Sequence, residues 1–112
     1  MAFLDKATIL SRAKPKVQEI DVPEWGGSVF LREITAGQRD RYDAWQIEQS
    51  GASKYYDIRA RLLVLCICDP DGNRLFSDNE MVEITNLPAQ AIDKLWDAAC
   101  HIVGLRGDVE KN

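Results

Sequence analysis

Apolar and polar residues recur with two different periods along this chain, and the switch between them marks where its elements begin and end. From Val17 to Ile34 the texture is that of a hairpin. Val17, Ile20 and Val22 form one β-rich run, and Val29, Phe30, Leu31 and Ile34 form the next. Between them lies Pro23-Glu24-Trp25-Gly26-Gly27, where proline stops strand pairing and the glycine pair supplies positive φ. Ile20 and Val22 share a face that Gln18 continues as a polar end, which predicts one buried side and one wet side. A lone hairpin is marginal in water, so helices must cover it.

Three-to-four spacing then takes over. Thr35, with Gln38 three residues later, reads as a capping box for a helix running to about Gln49. Its core candidates are Tyr42, Trp45 and Ile47, and Ser50-Gly51-Ala52 ends it. Ser53 starts a second predicted helix to about Cys68, with Tyr55, Ile58, Leu62, Leu65 and Cys66 as its apolar stripe, widened by Leu63 and Ile67. The end of that helix is apolar nearly all round, which places it at the centre of the core. Asp69-Pro70-Asp71-Gly72 has the residues of a type I turn, and Asn73 to Phe76 reads as a short extended piece. Ser77-Asp78-Asn79-Glu80 is a second capping box, opening a short helix through Met81, Val82 and Ile84. After Asn86-Leu87-Pro88 a last helix begins, with Ile92, Leu95, Trp96, Ala99, Ile102 and Val103 on its buried face and Gly104 as its C-cap. The predicted fold class is α+β, mainly helical, an N-terminal β-hairpin packed against about four helices.

Residues 1–16 stand apart. They hold Lys6, Arg12, Lys14 and Lys16 against Asp5 alone, and carry Phe3, Leu4, Ala7 and Leu10 at near-helical spacing before Pro15. Two readings stay open: a loosely docked terminus, or a short amphipathic helix that docks on a partner or a neighbouring subunit. The expected organisation is an N-terminal arm over 1–16, a single α+β domain over 17–105 and a polar tail over 106–112.

At 112 residues with 46% apolar and 29% charged positions, the composition is that of an ordinary globular domain that folds without disulfides or metal. A net charge of -4 argues against nucleic acid as a partner, because phosphate neutralisation needs a surplus of Lys and Arg. Asp5 and Lys6 interrupt the apolar start, against a signal peptide, and the longest apolar run, Leu62 to Cys68, is far short of a membrane span. No membrane partner is expected.

Candidate chemistry adds little. Asp69, Asp71, Asn73, Ser77 and Glu80 match spacings of a calcium loop, but its sixth position, which needs glycine, is Arg74. Cys66 and Cys68 would project about 200° apart on one helix, so with Cys100 and His101 they make a poor zinc set and read as buried small hydrophobes. Cys100 also lacks an aligned base, its only histidine being the adjacent His101. Arg106-Gly107-Asp108 spells an adhesion tripeptide that three-residue chance explains. No catalytic residue, metal site or cofactor is expected, and the chain is not read as an enzyme. Trp45 and Trp96 have core spacing. Trp25 at the hairpin tip is either folded back on the strands or offered to a partner.

The order of these features is recognisable. Val17-Gln18-Glu19-Ile20-Asp21-Val22-Pro23-Glu24-Trp25-Gly26-Gly27 with Val29-Phe30-Leu31-Arg32-Glu33 is similar to the opening of the tail assembly chaperones of long-tailed bacteriophages. So are Ile58-Arg59-Ala60-Arg61-Leu62-Leu63 leading into Cys68-Asp69-Pro70-Asp71-Gly72-Asn73-Arg74-Leu75-Phe76-Ser77-Asp78, and the closing helix from Ala91 to Leu105. The likeness covers nearly all of the chain from Val17 onward and is collective, resting on turns and core positions. It implies a non-catalytic protein of a phage or prophage that binds the tape measure protein and recruits tail tube subunits. Such a protein works in the host bacterial cytoplasm and is absent from the finished virion. A frameshifted longer product often accompanies the short form in that family, and this chain looks like the short form. Self-association is also expected, and the candidate partner or self-association surface is Phe3, Leu4, Leu10, Trp25 and Tyr56. The competing readings are a structural tail or head-tail joining component, and a small regulatory protein-binding module.

Overall fold

The computed structural model describes residues 2–49 and 51–105. The expected polar tail and the Arg106-Gly107-Asp108 tripeptide lie outside the described residues, as does Ser50 of the predicted helix stop. The element order is α1 (Lys6–Arg12), β1 (Val17–Val22), β2 (Gly27–Arg32), α2 (Ala36–Glu48), α3 (Ile58–Cys66), β3 (Ile67–Cys68), α4 (Met81–Thr85) and α5 (Ala89–Val103). The fold is mainly helical α+β, as the periodicity predicts.

The hairpin forms where expected and in full antiparallel register, from Val17 opposite Arg32 to Val22 opposite Gly27. Pro23–Trp25 makes a single 3-10 turn at its tip, closed by Gly26 at φ +75°, a left-handed conformation that glycine adopts without steric cost. Strand alternation puts Ile20, Val22, Val29 and Leu31 on one face. Val22 and Leu31 are fully buried there and Ile20 and Val29 pack against them. The opposite face carries Glu19, Asp21, Ser28 and Phe30.

Helix α3 is the hub. Ala60, Leu62, Leu63, Val64 and Cys66 are all buried, so it is covered on nearly every side, by α2, α4 and α5. Helix α5 lays Ala91, Ile92, Leu95, Ala99 and Cys100 against α3 and the sheet. It ends at Gly104, φ +83°, whose N–H reaches back to the Cys100 and His101 carbonyls. Both predicted capping boxes exist. The Gln38 N–H donates to Thr35 Oγ1 at 3.1 Å while Thr35 N–H donates to Gln38 Oε1 at 2.9 Å, and Ser77 with Glu80 repeats the exchange.

Three expectations need correction. The helix predicted from Ser53 to Cys68 is in fact three pieces: a 3-10 segment at Gly51–Tyr55, helix α3 from Ile58, and a short strand. Asp57 at φ +60° breaks the first from the second, which rotates Tyr55 out of the stripe and leaves it exposed. At the other end, Ile67 and Cys68 turn extended and pair with Leu31 and Phe30, giving the hairpin a third strand. The Asp69-Pro70-Asp71-Gly72 turn therefore closes a second, very short hairpin, in which Cys68 bridges Arg74. Ile47, predicted as core, is 82% exposed, because at about 100° per residue it projects roughly 140° from Tyr42 and roughly 160° from Trp45, on the outer face of α2.

Candidate functional site

Much of the polar chemistry among the described residues is used up locally. Asp69 Oδ1 accepts from the backbone N–H groups of Asp71 and Asn73, both at 2.9 Å, and its other oxygen accepts from the Asn73 amide. The Asn73 backbone N–H contributes most to holding the Asp69 carboxyl below its ordinary range, as the backbone N–H of Ser77 does for Glu80. These oxygens close a turn and cap a helix. Arg74 links Asp78, at 2.7 Å, to the Val64 carbonyl at the end of α3, at 2.9 Å. Arg39 bridges Asp43 and the Val103 carbonyl, tying α2 to the end of α5. Arg59 pairs with Asp93 across α3 and α5.

The cysteines do not converge into a ligand set. Cys66 and Cys100 lie inside the core on α3 and α5, while Cys68 is on β3 rather than on a shared helix. Burial pushes the Cys66 thiol up to about 12, with the neighbouring Cys100 adding to it, so the thiolate needed for metal binding or nucleophilic attack is suppressed. His101 follows Cys100 on α5 but is exposed. Tyr42 is buried and its hydroxyl donates to the Ile58 carbonyl at 3.3 Å, an interhelical tie. Among the described residues no other buried side chain carries a charge, hydroxyl or amide.

What the surface offers is apolar. Helix α1 is well started: Asp5 accepts from the Thr8 N–H at 2.9 Å, and Leu4 and Ile9 occupy the two positions of a hydrophobic staple. Nevertheless it buries nothing; Phe3 is 91% and Leu10 67% exposed, and Leu4 is exposed too. Two backbone-directed bonds fix the root of this arm to the hairpin. The Glu33 N–H donates to the Lys16 carbonyl at 2.9 Å, and the Lys16 N–H donates to Glu33 Oε1 at 2.7 Å.

A second apolar region lies at the edge of the sheet, where β2 runs on past β3. Trp25 at the tip, Phe30 of β2, Pro70 of the turn and Leu75, Phe76 and Leu87 line a groove of about 410 Å³. Because β3 pairs with β2 only at Leu31 and Phe30, the groove runs past the stretch of β2 nearer the tip, where no third strand lies. Trp25 is thus neither packed into the core nor fully free; it forms a wall of this groove and stays 42% exposed. Tyr56 belongs to a third region, the α2–α3 connection. Tyr55 and Tyr56 are both about two-thirds exposed there, beside a small cleft of about 170 Å³ bounded by Tyr55, Arg59, Ile84 and Ile92.

The five candidate residues named from sequence therefore fall in three places: Phe3, Leu4 and Leu10 on the arm, Trp25 at the groove and Tyr56 on the α2–α3 connection. Sequence reasoning missed the groove itself. The signal was present, since a type I turn between Ile67-Cys68 and Arg74-Leu75 is a hairpin pattern, but the continuous apolar run masked it as helix.

A family model described as phage tail assembly chaperone matches residues 6–112. The chain belongs to that family. The tail assembly chaperone fold extends to a solved relative: the structure of the bacteriophage HK97 tail assembly chaperone superposes with a TM-score of 0.63 at 22% identity, covering 87% of this chain and 92% of that one. A likeness at that identity speaks for the shared fold. No curated protein matches the sequence. As a phage tail assembly chaperone the chain has tail proteins for partners, and among its described residues no helix is long and apolar enough to cross a membrane.

Proposed function

We propose that this tail assembly chaperone binds the tape measure protein and helps recruit tail tube subunits, without catalysis, in the host cytoplasm, and that it leaves before the virion is complete. One observation carries the reading. Large apolar side chains stand in solvent on the arm, at the hairpin tip and on the α2–α3 connection, while polar groups such as Asp5, Asp69 and Arg74 are engaged in caps, turns and ties between elements. A long helical client exposes apolar stripes until the tube encloses it and aggregates if left bare. Many copies of a small domain, each holding weakly, cover such a client through avidity and remain individually displaceable. The working unit is residues 17–105, with 1–16 as a contact arm and 106–112 as a polar tail, and copies associate with one another on the client.

Tyr56 and Tyr55 form the client-facing surface in this reading. An aromatic ring with a hydroxyl rim gives contact area to an apolar stripe while tolerating water when unoccupied. The test is co-expression of the full chain with the tape measure protein of the same phage, followed by co-purification. Wild type is expected to keep the client in solution, and Tyr56→Glu to recover at least roughly tenfold less of it with the chaperone fold intact, since truncating an interface aromatic commonly weakens binding that much. Client recovery unaffected by the substitution, or stoichiometric chaperone in purified particles by mass spectrometry, refutes the proposal.

A further inference from the structure

Two apolar surfaces of this chain lack a cover, and they match each other in chemistry. Helix α1 has its cap and its staple positions, with Ala7 and Leu10 at helical spacing and Phe3 just ahead of the cap, yet none of its residues is buried. A seven-residue helix in isolation is marginal in water, because nucleation costs more than so few hydrogen bonds return. Its stability must come from a surface it docks on. The groove between Trp25, Phe30, Pro70 and Leu75 is open and apolar, and Leu75 at its edge is exposed.

Charge selects the occupant. The arm carries Lys6, Arg12, Lys14 and Lys16 against Asp5, although the whole chain is at -4, so everything beyond the arm is more acidic than the average. Five of the chain's 18 carboxylates stand near the groove. Glu19 and Asp21 stand opposite Phe30 and Ser28 in the strand register, hence on the same outer face. Glu24 adjoins Trp25 at the tip, Asp69 lines the groove and Asp71 follows in the turn. An apolar floor with carboxylates on its borders fits a helix with an apolar stripe between lysines and arginines, the helix-in-groove mode of recognition.

We propose that the N-terminal arm of one copy docks in the sheet-edge groove of a second copy. Phe3 and Leu10 enter beside Trp25, Phe30 and Leu75, and the arm's lysines and arginines meet the carboxylates of Glu19, Asp21, Glu24 and Asp71. The anchoring of Lys16 to Glu33 fixes where the arm leaves its own hairpin, and the segment Ala13 to Lys16 serves as the hinge between copies. This deepens the self-association proposed above by naming its contact, and it is tested with no tape measure protein present, so it fails or stands separately from client binding.

The test is complementation between two full-length variants. Leu10→Glu spoils the arm and leaves the groove, and Leu75→Glu spoils the groove and leaves the arm. Both positions are exposed, so both variants are expected to keep the wild-type circular dichroism spectrum and melting temperature. By sedimentation velocity, wild type self-associates, each variant alone does so at least about tenfold more weakly, and an equimolar mixture recovers a heterodimer, because one intact arm meets one intact groove. Raising salt weakens wild-type association, as contact between opposite charges at a surface requires. A wild-type chain that stays monomeric across the concentration range overturns the proposal, as does association that survives either substitution. A mixture that stays monomeric also overturns it and points to docking of the arm on its own chain or on another protein.

Discussion

Helix α1 opens on a side-chain cap from Asp5 and carries Ala7 and Leu10 at helical spacing. Helix α5 follows Pro88, closes on Gly104 and carries Ile92, Leu95, Ala99 and Ile102 at the same spacing. By pattern the two are alike. By environment they are opposites: α5 buries five residues against α3 and the sheet, whereas α1 buries none. An amphipathic stripe thus says that a helix needs a partner and is silent on where the partner is. Within one chain of this family, the same device is core in one helix and stays uncovered in the other. The difference is set by what lies within reach. Helix α5 folds back on α3, already covered on its other sides, while α1 is held off by Pro15 and by the pairing of Lys16 with Glu33.

Substitution at equivalent stripe positions should expose the contrast most strongly in α5. Leu95 is fully buried beneath α3 and the sheet, so Leu95→Ala removes its packing and leaves a cavity. The expected loss is about 2–5 kcal/mol of unfolding free energy, read from the midpoint in urea. A loss under about 1 kcal/mol would mean that α5 is no better packed than the arm.

Alkaline pH probes the same interface from the side of α3. Burial and the neighbouring Cys100 hold the Cys66 thiol neutral up to about 12, whereas in the unfolded chain it ionises near 9.0. Between those values the unfolded state binds fewer protons than the folded one, so stability is intact below pH 9.0 and falls as pH rises toward 12. The contribution of this one thiol is a decline of about 1.4 kcal/mol per pH unit. Denaturant melts at stepped pH on wild type and Cys66→Ala isolate it, because the variant lacks that part of the slope while other titrating groups remain in both. Equal slopes would show that Cys66 reaches solvent and that the α3–α5 contact is loose.

The contrast also explains how much of the fold was legible. Wherever a boundary is set by local chemistry, the residues state it. The Thr35 and Ser77 boxes, the Pro-Glu-Trp-Gly tip, the Asp-Pro-Asp-Gly turn and Gly104 all sit where their side-chain or backbone preferences put them. Where tertiary contacts decide, the pattern misleads. Ile67 and Cys68 continue the apolar run of α3 without a break, and only the free edge of β2 beside them draws them into a strand. Tyr55 keeps helical spacing with Ile58 and Leu62, but Asp57 interposes a left-handed residue and the phase is lost. The apolar spacing of Phe3, Leu4 and Leu10 is visible in sequence, whereas their exposure is not, since α5 has the same kind of spacing and is buried. The groove is not visible there either, since its walls come from the hairpin tip, the 69–76 loop and Leu87, brought together by that unforeseen third strand.

The smallest expected effect is the most discriminating. Leu10→Ala makes the same chemical change as Leu95→Ala, on the stripe of α1. Alanine has the higher helix propensity, so the helix itself loses nothing, and the side chain removed is 67% exposed in the isolated chain. Unfolding free energy should therefore shift by less than about 0.5 kcal/mol in dilute protein, where each copy is alone. At high concentration the outcome should part from this. A wild-type chain whose arm is held by a second copy gains stability by mass action and the variant gains less, so their melting temperatures diverge only as protein is added. A Leu10→Ala loss near that of Leu95→Ala already in dilute solution would place the arm in the core of its own chain and erase the distinction between the two helices.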